Sequence, residues 1–325
     1  MALLAIEGLN VALASGAKIL SDVRLSIEPG EALGVVGESG CGKSMLALSI
    51  MGLLPRAVRL TGGRILLDGE DLVAGGPAAW RRRRGRDLAM IFQEPMTALN
   101  PVMRVGRQVA EVLVKRRGMP AADARRETLA LFRRVEIPRA DAMLDAFPHE
   151  MSGGMRQRVM IAMALAARAR LLIADEPTTA LDVTIQAQIL ALLRNLQRES
   201  GLSILFITHD LGVIAEIADR VLVLYGGRVA ELSSARATFD NARHPYTRAL
   251  LSAIPKVTGP RGQLASVAGA APAVGAMPPG CPFAPRCPLV RAECDAAPPP
   301  LRMIHQDHLT ACLEPFGYRL PEHAA

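Results

Sequence analysis

The stretch GESGCGKS, Gly37–Ser44, decides the fold of this chain. An apolar, strand-like segment from Ala32 to Val36 precedes it, and a helical segment that is expected to stop at Pro55 follows it. A glycine-rich turn between a strand and a helix is the setting of a phosphate-binding loop, because glycine lets backbone amides approach phosphate oxygens. Lys43 then adds positive charge toward the β- and γ-phosphates, and the Ser44 hydroxyl can bind Mg2+. The predicted nucleotide-binding residues of this loop are Gly37, Glu38, Ser39, Gly40, Cys41, Gly42, Lys43 and Ser44.

The pattern of apolar residues around this loop predicts an α/β fold. The N-terminal segments AIEGLNVAL and ILSDVRLSI alternate apolar and polar residues, which is typical of half-buried antiparallel strands. The short apolar runs LAMIF, LLIADE and SILFITHD alternate with helical segments, and this alternation indicates a parallel core. The helical segment TIQAQILALLRNLQRES is expected to end at Gly201, and RVLVLYGGRVAEL is expected to form a hairpin that turns at Gly226 and Gly227.

Two further regions flank this core. The pattern turns helical from Pro101 to about Leu165, with Asn100 as the expected cap and Pro101 as the first helical residue. After Pro255 the residues are mainly Ala, Pro and Gly as far as Gly280, which is typical of a linker. We therefore place a domain boundary near residues 255–260.

The composition excludes a disordered chain and several functional classes. Hydrophobic residues make up 50% of the chain and charged residues 21%, which is enough for a substantial core. The N-terminus lacks the features of a secretory signal, and no apolar run is long enough to span a bilayer, so we expect a cytosolic chain with reduced thiols. The net charge is +7, but aromatic residues make up only 3%, which argues against a base-stacking surface. The basic run RRRRGR, Arg81 to Arg86, is interpreted as a solvated helix face.

A second segment, LLIADEP from Leu171 to Pro177, places two acids at the end of an apolar strand. Asp175 is expected to hold Mg2+ through water. Glu176 is a candidate general base that polarises the attacking water. Acids at a strand end are common, but this pair follows the phosphate-binding loop at a workable distance along the chain. Together the two segments indicate nucleotide hydrolysis.

The segment MSGGMRQR, Met151 to Arg158, resembles the signature motif of ATP-binding cassette (ABC) proteins, which usually reads LSGGQ. The other motifs of that family stand in order: Gln93 in FQEPMTALNP, ALD at 180–182, and His209 in ITHD. The resemblance covers nearly all of residues 1–250. It implies a P-loop NTPase fold with a RecA-like core, an antiparallel β layer and a helical subdomain at about 95–165. The implied domains are a nucleotide-binding domain, 1–255, and a small irregular C-terminal segment that contains cysteines, 256–325.

The resemblance also implies a role for each motif. In this family two cassettes face each other head to tail and enclose two ATP molecules. Gln93 would contact Mg2+ and the γ-phosphate, and His209 would contact the γ-phosphate. The residues that would complete the sites in the dimer are Ser152, Gly153, Gly154 and Asp182. One departure is that LNVALASGAK, where the family usually has an aromatic residue that stacks on adenine, has Leu13 or Ala14 instead.

Longer phrases, such as ADEPTTALDVTIQAQIL and HPYTRALLSAIP, are similar to the D-type ATP-binding subunit of the oligopeptide/dipeptide importer family. This resemblance implies a heterodimer with an F-type ATPase subunit, two membrane permeases and, indirectly, a solute-binding protein, at the cytoplasmic face of the bacterial inner membrane. Nucleic acid is not an expected partner.

Glutathione or a nickel or other metal chelate remains an alternative to peptide as the substrate. A soluble cassette ATPase acting on nucleic acid or ribosomes is a weaker alternative, since such chains usually carry two cassettes or a long coiled-coil insertion. A metal-binding module with a vestigial cassette is weaker still, because the motif residues are intact.

Four of the five cysteines lie near the C-terminus, in GCPFAPRCPLVRAEC and HLTAC. Four gathered thiols in a reducing compartment indicate metal binding rather than disulfides, and the paired CxxC motifs of structural zinc are absent. Similar cysteine sets in relatives bind a [4Fe–4S] cluster, and this resemblance implies the same here, with zinc and free thiols left as alternatives. The candidate ligands are Cys281, Cys287, Cys294 and Cys312. The fifth, Cys41, is interpreted as a small filler residue of the phosphate-binding loop.

Overall fold

A computed structural model describes residues 1–93, 98–179, 181–254, 267 and 269–316. The strands in these ranges are β1 (Leu4–Leu13), β2 (Lys18–Ile27), β3 (Ala32–Val36), β4 (Val58–Leu67), β5 (Glu70–Asp71), β6 (Leu88–Ile91), β7 (Leu171–Asp175), β8 (Ser203–Ile207), β9 (Arg220–Tyr225), β10 (Arg228–Ser234), β11 (Arg302–His305) and β12 (His308–Thr310). The helices are α1 (Lys43–Met51), α2 (Gly76–Arg83), α3 (Val105–Arg117), α4 (Ala121–Arg134), α5 (Ala140–Met143), α6 (Gly153–Ala167), α7 (Val183–Ser200), α8 (Leu211–Ile217), α9 (Ala235–Asn241), α10 (Pro245–Ser252) and α11 (Glu293–Ala296). Single 3-10 turns span Pro148–Glu150 and Ala284–Arg286.

The chain divides into two compact units that interleave along the sequence. The first unit comprises Met1–Leu3, Ile27–Glu31 and Leu72–Ile207. The second comprises Leu4–Ser26, Ala32–Asp71 and Thr208–Ala325. The predicted boundary at residues 255–260 lies outside the described residues and stays a prediction.

The first unit carries a parallel sheet and the helices of the middle region. Strand β7 pairs in parallel with β6 on one side and with β8 on the other. All five residues of β7 and all five of β8 are buried, as expected for strands covered on both faces. The prediction of a parallel core is therefore confirmed within this unit. Helix α7 ends before Gly201, which has φ 64°, so the predicted end of this helix is also correct.

The second unit begins with an antiparallel sheet in the strand order β2-β1-β4-β5. Alternate residues of β1, such as Leu4 and Ile6, are buried, while Glu7 faces out and forms an ion pair with Arg64 of β4. The two charged residues stand opposite each other in the antiparallel register. The antiparallel strands predicted from the alternation of apolar and polar residues at the N-terminus are therefore confirmed.

The same unit contains the strand that leads into the phosphate-binding loop. Strand β3 is fully buried and pairs in parallel with β9. Strands β9 and β10 form the predicted antiparallel hairpin, with its turn at Gly226 and Gly227. On its other side β10 pairs with β12, which in turn pairs with β11, so the C-terminal region adds two short strands to this sheet.

Two helix boundaries differ from the prediction. Helix α3 begins at Val105, not at Pro101, because the residues before it form a turn held by side chains. Asn100 Oδ1 accepts a hydrogen bond from the Val102 amide (3.1 Å), and Gln108 Nε2 donates to the Asn100 carbonyl (3.0 Å).

Helix α1 ends at Met51, before Pro55, because Gly52 adopts φ 61° and closes the helix with its own amide.

The first three residues of the basic run agree with its interpretation as a solvated helix face, and the helix ends before the rest of the run. Arg81, Arg82 and Arg83 occupy the last turn of α2, where cations are favourable near the helix C-terminus, and Arg81 and Arg82 are exposed. In the described ranges, no helix combines the length and the apolar character needed to cross a bilayer.

Candidate functional site

The phosphate-binding loop lies in the second unit, between β3 and α1. Gly37 and Gly42 adopt φ 156° and 105°. A Cβ atom on Gly37 would lie 2.2 Å from the Leu224 carbonyl oxygen, and one on Gly42 would lie 2.7 Å from Leu20 Cδ2. The loop passes so close to its neighbours that these two positions accept only glycine.

Lys43 is the first residue of α1, and its side chain folds back over the loop. Its Nζ atom donates hydrogen bonds to the carbonyls of Gly37 (2.7 Å) and Glu38 (3.1 Å). The residue is only 6% exposed, so the ammonium group is held at the centre of the loop with its charge directed inward. The adjacent Ser44 is half-buried.

Cys41 fills space in this loop. It is buried, and its Sγ atom lies 3.8 Å from Lys43 Nζ. Burial raises the pKa of the Cys41 thiol, and the nearby Lys43 charge offsets this only in part. A buried thiol with a raised pKa is a poor nucleophile, which agrees with the interpretation of Cys41 as a filler residue.

The two acids and Gln93 lie in the first unit, at the carboxyl ends of its strands. Asp175 is the last residue of β7 and is buried, and Glu176 follows it with a left-handed backbone, φ 47°. Gln93 follows β6, and its Nε2 atom donates a hydrogen bond to Glu176 Oε2 (3.2 Å). Thr179 Oγ1 donates to the same oxygen (2.9 Å). The side chain of Glu176 is therefore oriented by two donors, at a backbone conformation that is strained for a glutamate.

The signature segment caps a helix in the first unit. Ser152 Oγ accepts a hydrogen bond from the Met155 amide (3.3 Å), so Ser152 is the N-cap of α6. Gly153 and Gly154 form the first turn of this helix. A Cβ atom on Gly154 would lie 2.5 Å from Ile185 Cγ2, so the packing of α6 against Ile185 of α7 leaves no room for a side chain at this position.

Two more motif residues lie at loop-to-helix junctions. Asp182, in the first unit, caps α7 by accepting a hydrogen bond from the Ile185 amide (2.9 Å). Ala180, the first residue of the ALD motif, lies outside the described residues. His209 lies in the second unit, exposed between the buried Thr208 and the α8 cap Asp210. The second unit thus holds the phosphate-binding loop and His209, and the first holds the acids, Gln93 and the signature segment.

The four C-terminal cysteines all line one cavity of the second unit. All four are free and half-buried. Burial is the main factor that raises the pKa of the Cys281 and Cys287 thiols, and it raises the pKa of Cys312 to about 12, with the neighbouring thiols adding to each shift. Among the described residues, however, no three His, Cys, Asp or Glu side chains are placed to hold a metal ion.

Sequence reasoning missed the residues that hold the phosphate-binding loop from outside. Glu38 carries an ion pair with Arg286 of the C-terminal segment, and its amide donates to Tyr246 Oη (2.9 Å). Tyr246 is fully buried against the rings of Tyr225 and Phe283. The sequence gives no signal for these contacts, because Glu38 and Arg286 are 248 residues apart.

Comparisons with known proteins identify the family of this chain. A family described as ABC transporter matches residues 20–179, and one described as oligopeptide/dipeptide transporter, C-terminal region, matches residues 230–294.

The oligopeptide transport ATP-binding protein OppD of Salmonella typhimurium is 47% identical over 296 residues, covering 91% of this chain and 88% of that protein. The dipeptide transport ATP-binding protein DppD of Bacillus subtilis is 44% identical over 313 residues, covering 95% and 93%. The structure of cbiO1 from Clostridium perfringens, part of the ABC transporter complex cbiONQ, has a TM-score of 0.65 at 28% identity and covers 74% of this chain and 91% of that one. The chain belongs to the ATP-binding proteins of ABC transporters that carry the oligopeptide/dipeptide transporter C-terminal region.

Proposed function

We propose that this chain is the ATP-hydrolysing subunit that energises an ABC importer for di- and oligopeptides. The observation that carries this proposal is that one chain combines a formed phosphate-binding loop with the C-terminal region of oligopeptide/dipeptide transporters. The identity of 47% to OppD and 44% to DppD, along almost the whole chain, supports peptide as the substrate class.

The phosphate-binding loop would hold one ATP. Lys43 already has its ammonium group inside the loop, where it donates to two carbonyls. Phosphate oxygens are better acceptors for an ammonium group than neutral carbonyls, so Lys43 would exchange at least one of these bonds for a β- or γ-phosphate oxygen. The amide groups of the loop that follow Cys41 would cradle the phosphates.

Three residues offer oxygen donors of the kind that Mg2+ prefers. All three donors are hard oxygen ligands: the hydroxyl of Ser44, the side-chain carbonyl of Gln93 and the carboxylate of Asp175. The metal would neutralise charge on the β- and γ-phosphates. Asp175 is only 4% exposed, which is a costly position for a carboxylate unless a cation or hydrogen bonds compensate for its charge.

Glu176 is proposed as the general base. Gln93 and Thr179 both donate to its Oε2 atom and so orient the carboxylate, which would accept a proton from the attacking water. His209, which is exposed at a loop-to-helix junction, would contact the γ-phosphate. Phosphoryl transfer depends chiefly on such positioned charge.

Hydrolysis would require a second cassette. Ser152, Gly153 and Gly154 stand at the N-terminus of α6, where free amide groups and the helix dipole favour an anion. In the proposed head-to-tail dimer these residues and Asp182 would approach the ATP held by the partner. The proposed partner is an F-type ATPase subunit, and two permeases would hold the pair at the cytoplasmic face of the inner membrane, served by a solute-binding protein.

The four C-terminal cysteines are proposed to hold one [4Fe–4S] cluster with a structural role. The proposal is supported by the fact that all four line one cavity and are free. Four thiolates are the ligand set of such a cluster. As placed, they do not form a site for a single ion in the described part of the chain, so ligation would require the thiols to lose their protons and move closer.

Uptake by cells tests the transport proposal. A strain that lacks the gene should lose uptake of labelled di- and tripeptides and keep uptake of glutathione and nickel. The wild-type gene should restore peptide uptake, and a Lys43→Ala copy should not. Loss of glutathione or nickel uptake with normal peptide uptake would overturn the proposed substrate class.

Metal analysis tests the cluster. Anaerobically purified protein should contain iron and acid-labile sulfide in equal amounts, near the four of each that define the cluster. Cys287→Ser should lower both, whereas Cys41→Ser should not. Zinc without iron would overturn the proposal.

A further inference from the structure

Every polar group of Glu38 is bound. Its amide donates to Tyr246 Oη (2.9 Å), and its carbonyl accepts hydrogen bonds from Lys43 Nζ (3.1 Å) and the Cys41 amide (3.3 Å). Its carboxylate accepts two parallel hydrogen bonds from Arg286, from Nη1 to Oε2 (2.6 Å) and from Nη2 to Oε1 (2.8 Å). Glu38 thus joins the lysine of the loop to an arginine of the C-terminal segment.

Arg286 is itself held in one orientation. It also donates to Tyr225 Oη (3.2 Å) and to the Val267 carbonyl (3.0 Å). Its guanidinium lies 5.7 Å from the ring centre of Tyr225 and 5.9 Å from that of Phe283. The side chain is 5% exposed, against 25% for Glu38, so this is a largely desolvated ion pair. Such a bidentate pair has a fixed geometry that lysine cannot reproduce.

The position of Arg286 depends on the cysteine-containing turn. Arg286 ends the 3-10 turn Ala284–Arg286, directly before Cys287. The amide of Cys281 donates to the Cys294 carbonyl (2.7 Å), and the amide of Cys287 donates to the Ala284 carbonyl (3.1 Å). The backbone bonds of this turn therefore determine where the guanidinium stands relative to the phosphate-binding loop.

We propose that Arg286 is a positioning residue for nucleotide binding, which acts by fixing Glu38 and through it Lys43 and the loop. Arg286 need not contact ATP. Its bond to Glu38 keeps the Glu38 carbonyl directed at Lys43 Nζ, so that the ammonium group stays inside the loop before nucleotide arrives. The C-terminal segment would in this way set the affinity of the cassette for ATP. The proposal rests on the assignment of Gly37–Ser44 as the nucleotide-binding loop.

A preorganised loop predicts a specific kinetic change. Without Arg286 the loop would have to be ordered by the nucleotide, which lowers affinity. Once ATP is bound, the same contacts form, so turnover at saturation should change little. A hydrogen bond to a charged group contributes enough that its loss should raise Kd and KM about tenfold.

The test uses the full chain and a fluorescent ATP analogue with Mg2+. Arg286→Met should raise Kd about tenfold, and Arg286→Lys should restore only part of the affinity, because lysine makes one bond where arginine makes two. Arg291→Met is the matched control: it removes an arginine of the same segment that pairs with Glu314, and it should leave Kd unchanged. Thermal unfolding of each variant shows whether the fold is retained.

A double substitution separates positioning from general structural damage. Glu38→Gln should weaken binding, and Arg286→Met combined with Glu38→Gln should bind no more weakly than Arg286→Met alone, since each substitution breaks the same bidentate ion pair. Effects that multiply, or a Kd for Arg286→Met equal to that of the wild type, would overturn the proposal. If Arg286→Met does not fold, the Glu38→Gln variant decides: wild-type affinity would overturn the proposal. Failure of the wild-type chain to bind the analogue would instead overturn the assignment of the loop.

Discussion

Gln93 Nε2 donates a hydrogen bond to Glu176 Oε2 across 3.2 Å, joining the ends of two neighbouring parallel strands. The bond forms because β6 and β7 run in the same direction, so the loops that follow the two strands begin at the same edge of the sheet. The residue proposed to contact Mg2+ and the γ-phosphate therefore also orients the proposed general base. A change at either residue should affect the chemical step more than nucleotide binding.

The first prediction follows from this bond. Glu176→Gln should reduce ATP turnover at least about 100-fold, the usual contribution of a general base, while ATP still binds. The amide carbonyl of the new glutamine can still accept from Gln93, so the geometry should persist. The variant should trap the ATP-bound dimer, which size-exclusion chromatography with the partner subunit can detect. The control is Glu199→Gln, which changes an exposed glutamate that forms an ion pair with Arg134. Normal turnover in Glu176→Gln would show that Glu176 is not the general base.

The second prediction concerns Lys43. Lys43→Ala should weaken ATP binding roughly 10- to 100-fold, because one charged donor is lost at the centre of the loop. Equilibrium binding of a labelled nucleotide measures this directly. Lys115→Ala removes an exposed lysine that pairs with Glu111 on α3 and should not change the affinity. Equal affinity in the two variants would contradict the assignment of the loop.

The third prediction concerns the base of the nucleotide. The end of β1 and the turn after it, at Leu13 and Ala14, offer no aromatic ring, and stacking contributes ~1–3 kcal/mol per base in other proteins. ATP and GTP should therefore compete for the site with affinities within about tenfold of each other. Competition against a labelled ATP analogue, for the isolated chain and for the chain with its partner, is the measurement. A strong preference for ATP in the isolated chain would show that another of its residues binds adenine.

The fourth prediction is a loss of stability in mild acid. Burial lowers the pKa of His244 from 6.5 to about 4, and the nearby Glu231 opposes this shift only in part. The unfolded chain binds this proton at a higher pH than the folded chain does. The free energy of unfolding is therefore unaffected by His244 above pH 6.5 and decreases as the pH falls toward 4. The total decrease is at most roughly 3 kcal/mol. Urea unfolding at several pH values measures it.

His244→Asn is the matched variant for this test. His244 Nδ1 accepts a hydrogen bond from the Tyr246 amide (3.0 Å), and the asparagine carbonyl can replace that acceptor without titrating. The free energy of unfolding should then fall less steeply between pH 6.5 and 4 than in the wild type. Parallel curves for the two proteins would show that the imidazole does not titrate on unfolding.

The fifth prediction concerns the contact between α6 and α7. Gly154→Ala should destabilise the chain by about 1–3 kcal/mol, since the new methyl group would lie 2.5 Å from Ile185 Cγ2. Adding Ile185→Ala should recover much of this loss by removing the clashing atom. Gly153→Ala is the control, because its methyl group would lie 3.3 Å from a flexible Leu181 methyl group. A Gly154→Ala variant as stable as Gly153→Ala would mean that the helices move apart easily.

The parts of the fold that depend on local pattern were predictable from the sequence. The alternation in β1 and β2 and the glycine-rich turn before Lys43 gave the correct elements, because sheet pleat and helix period act over a few residues. The start of α3 was wrong because Asn100 and Pro101 are also typical turn residues, and the side chain of Gln108 stabilises the turn.

The contacts around the site depend on tertiary structure and could not be predicted. The sequence marked Gln93 and Glu176 through motifs but not the hydrogen bond between them. It gave no sign that Glu38 binds Arg286, since an arginine before a cysteine is not specific for any partner. The four cysteines were recognised from the sequence, but their convergence on one cavity depends on how the C-terminal segment folds.

Strand β12 lies along β10 and thereby covers the edge of that strand, with Thr310 opposite Glu231. If the C-terminal segment were removed, the N–H and C=O groups that now face β12 would be open to pairing with another chain. Glu231, now completely buried and bonded to His308 Nε2 (2.6 Å), would also lose that partner. A chain shortened before residue 280 should therefore tend to self-associate through the exposed edge of β10.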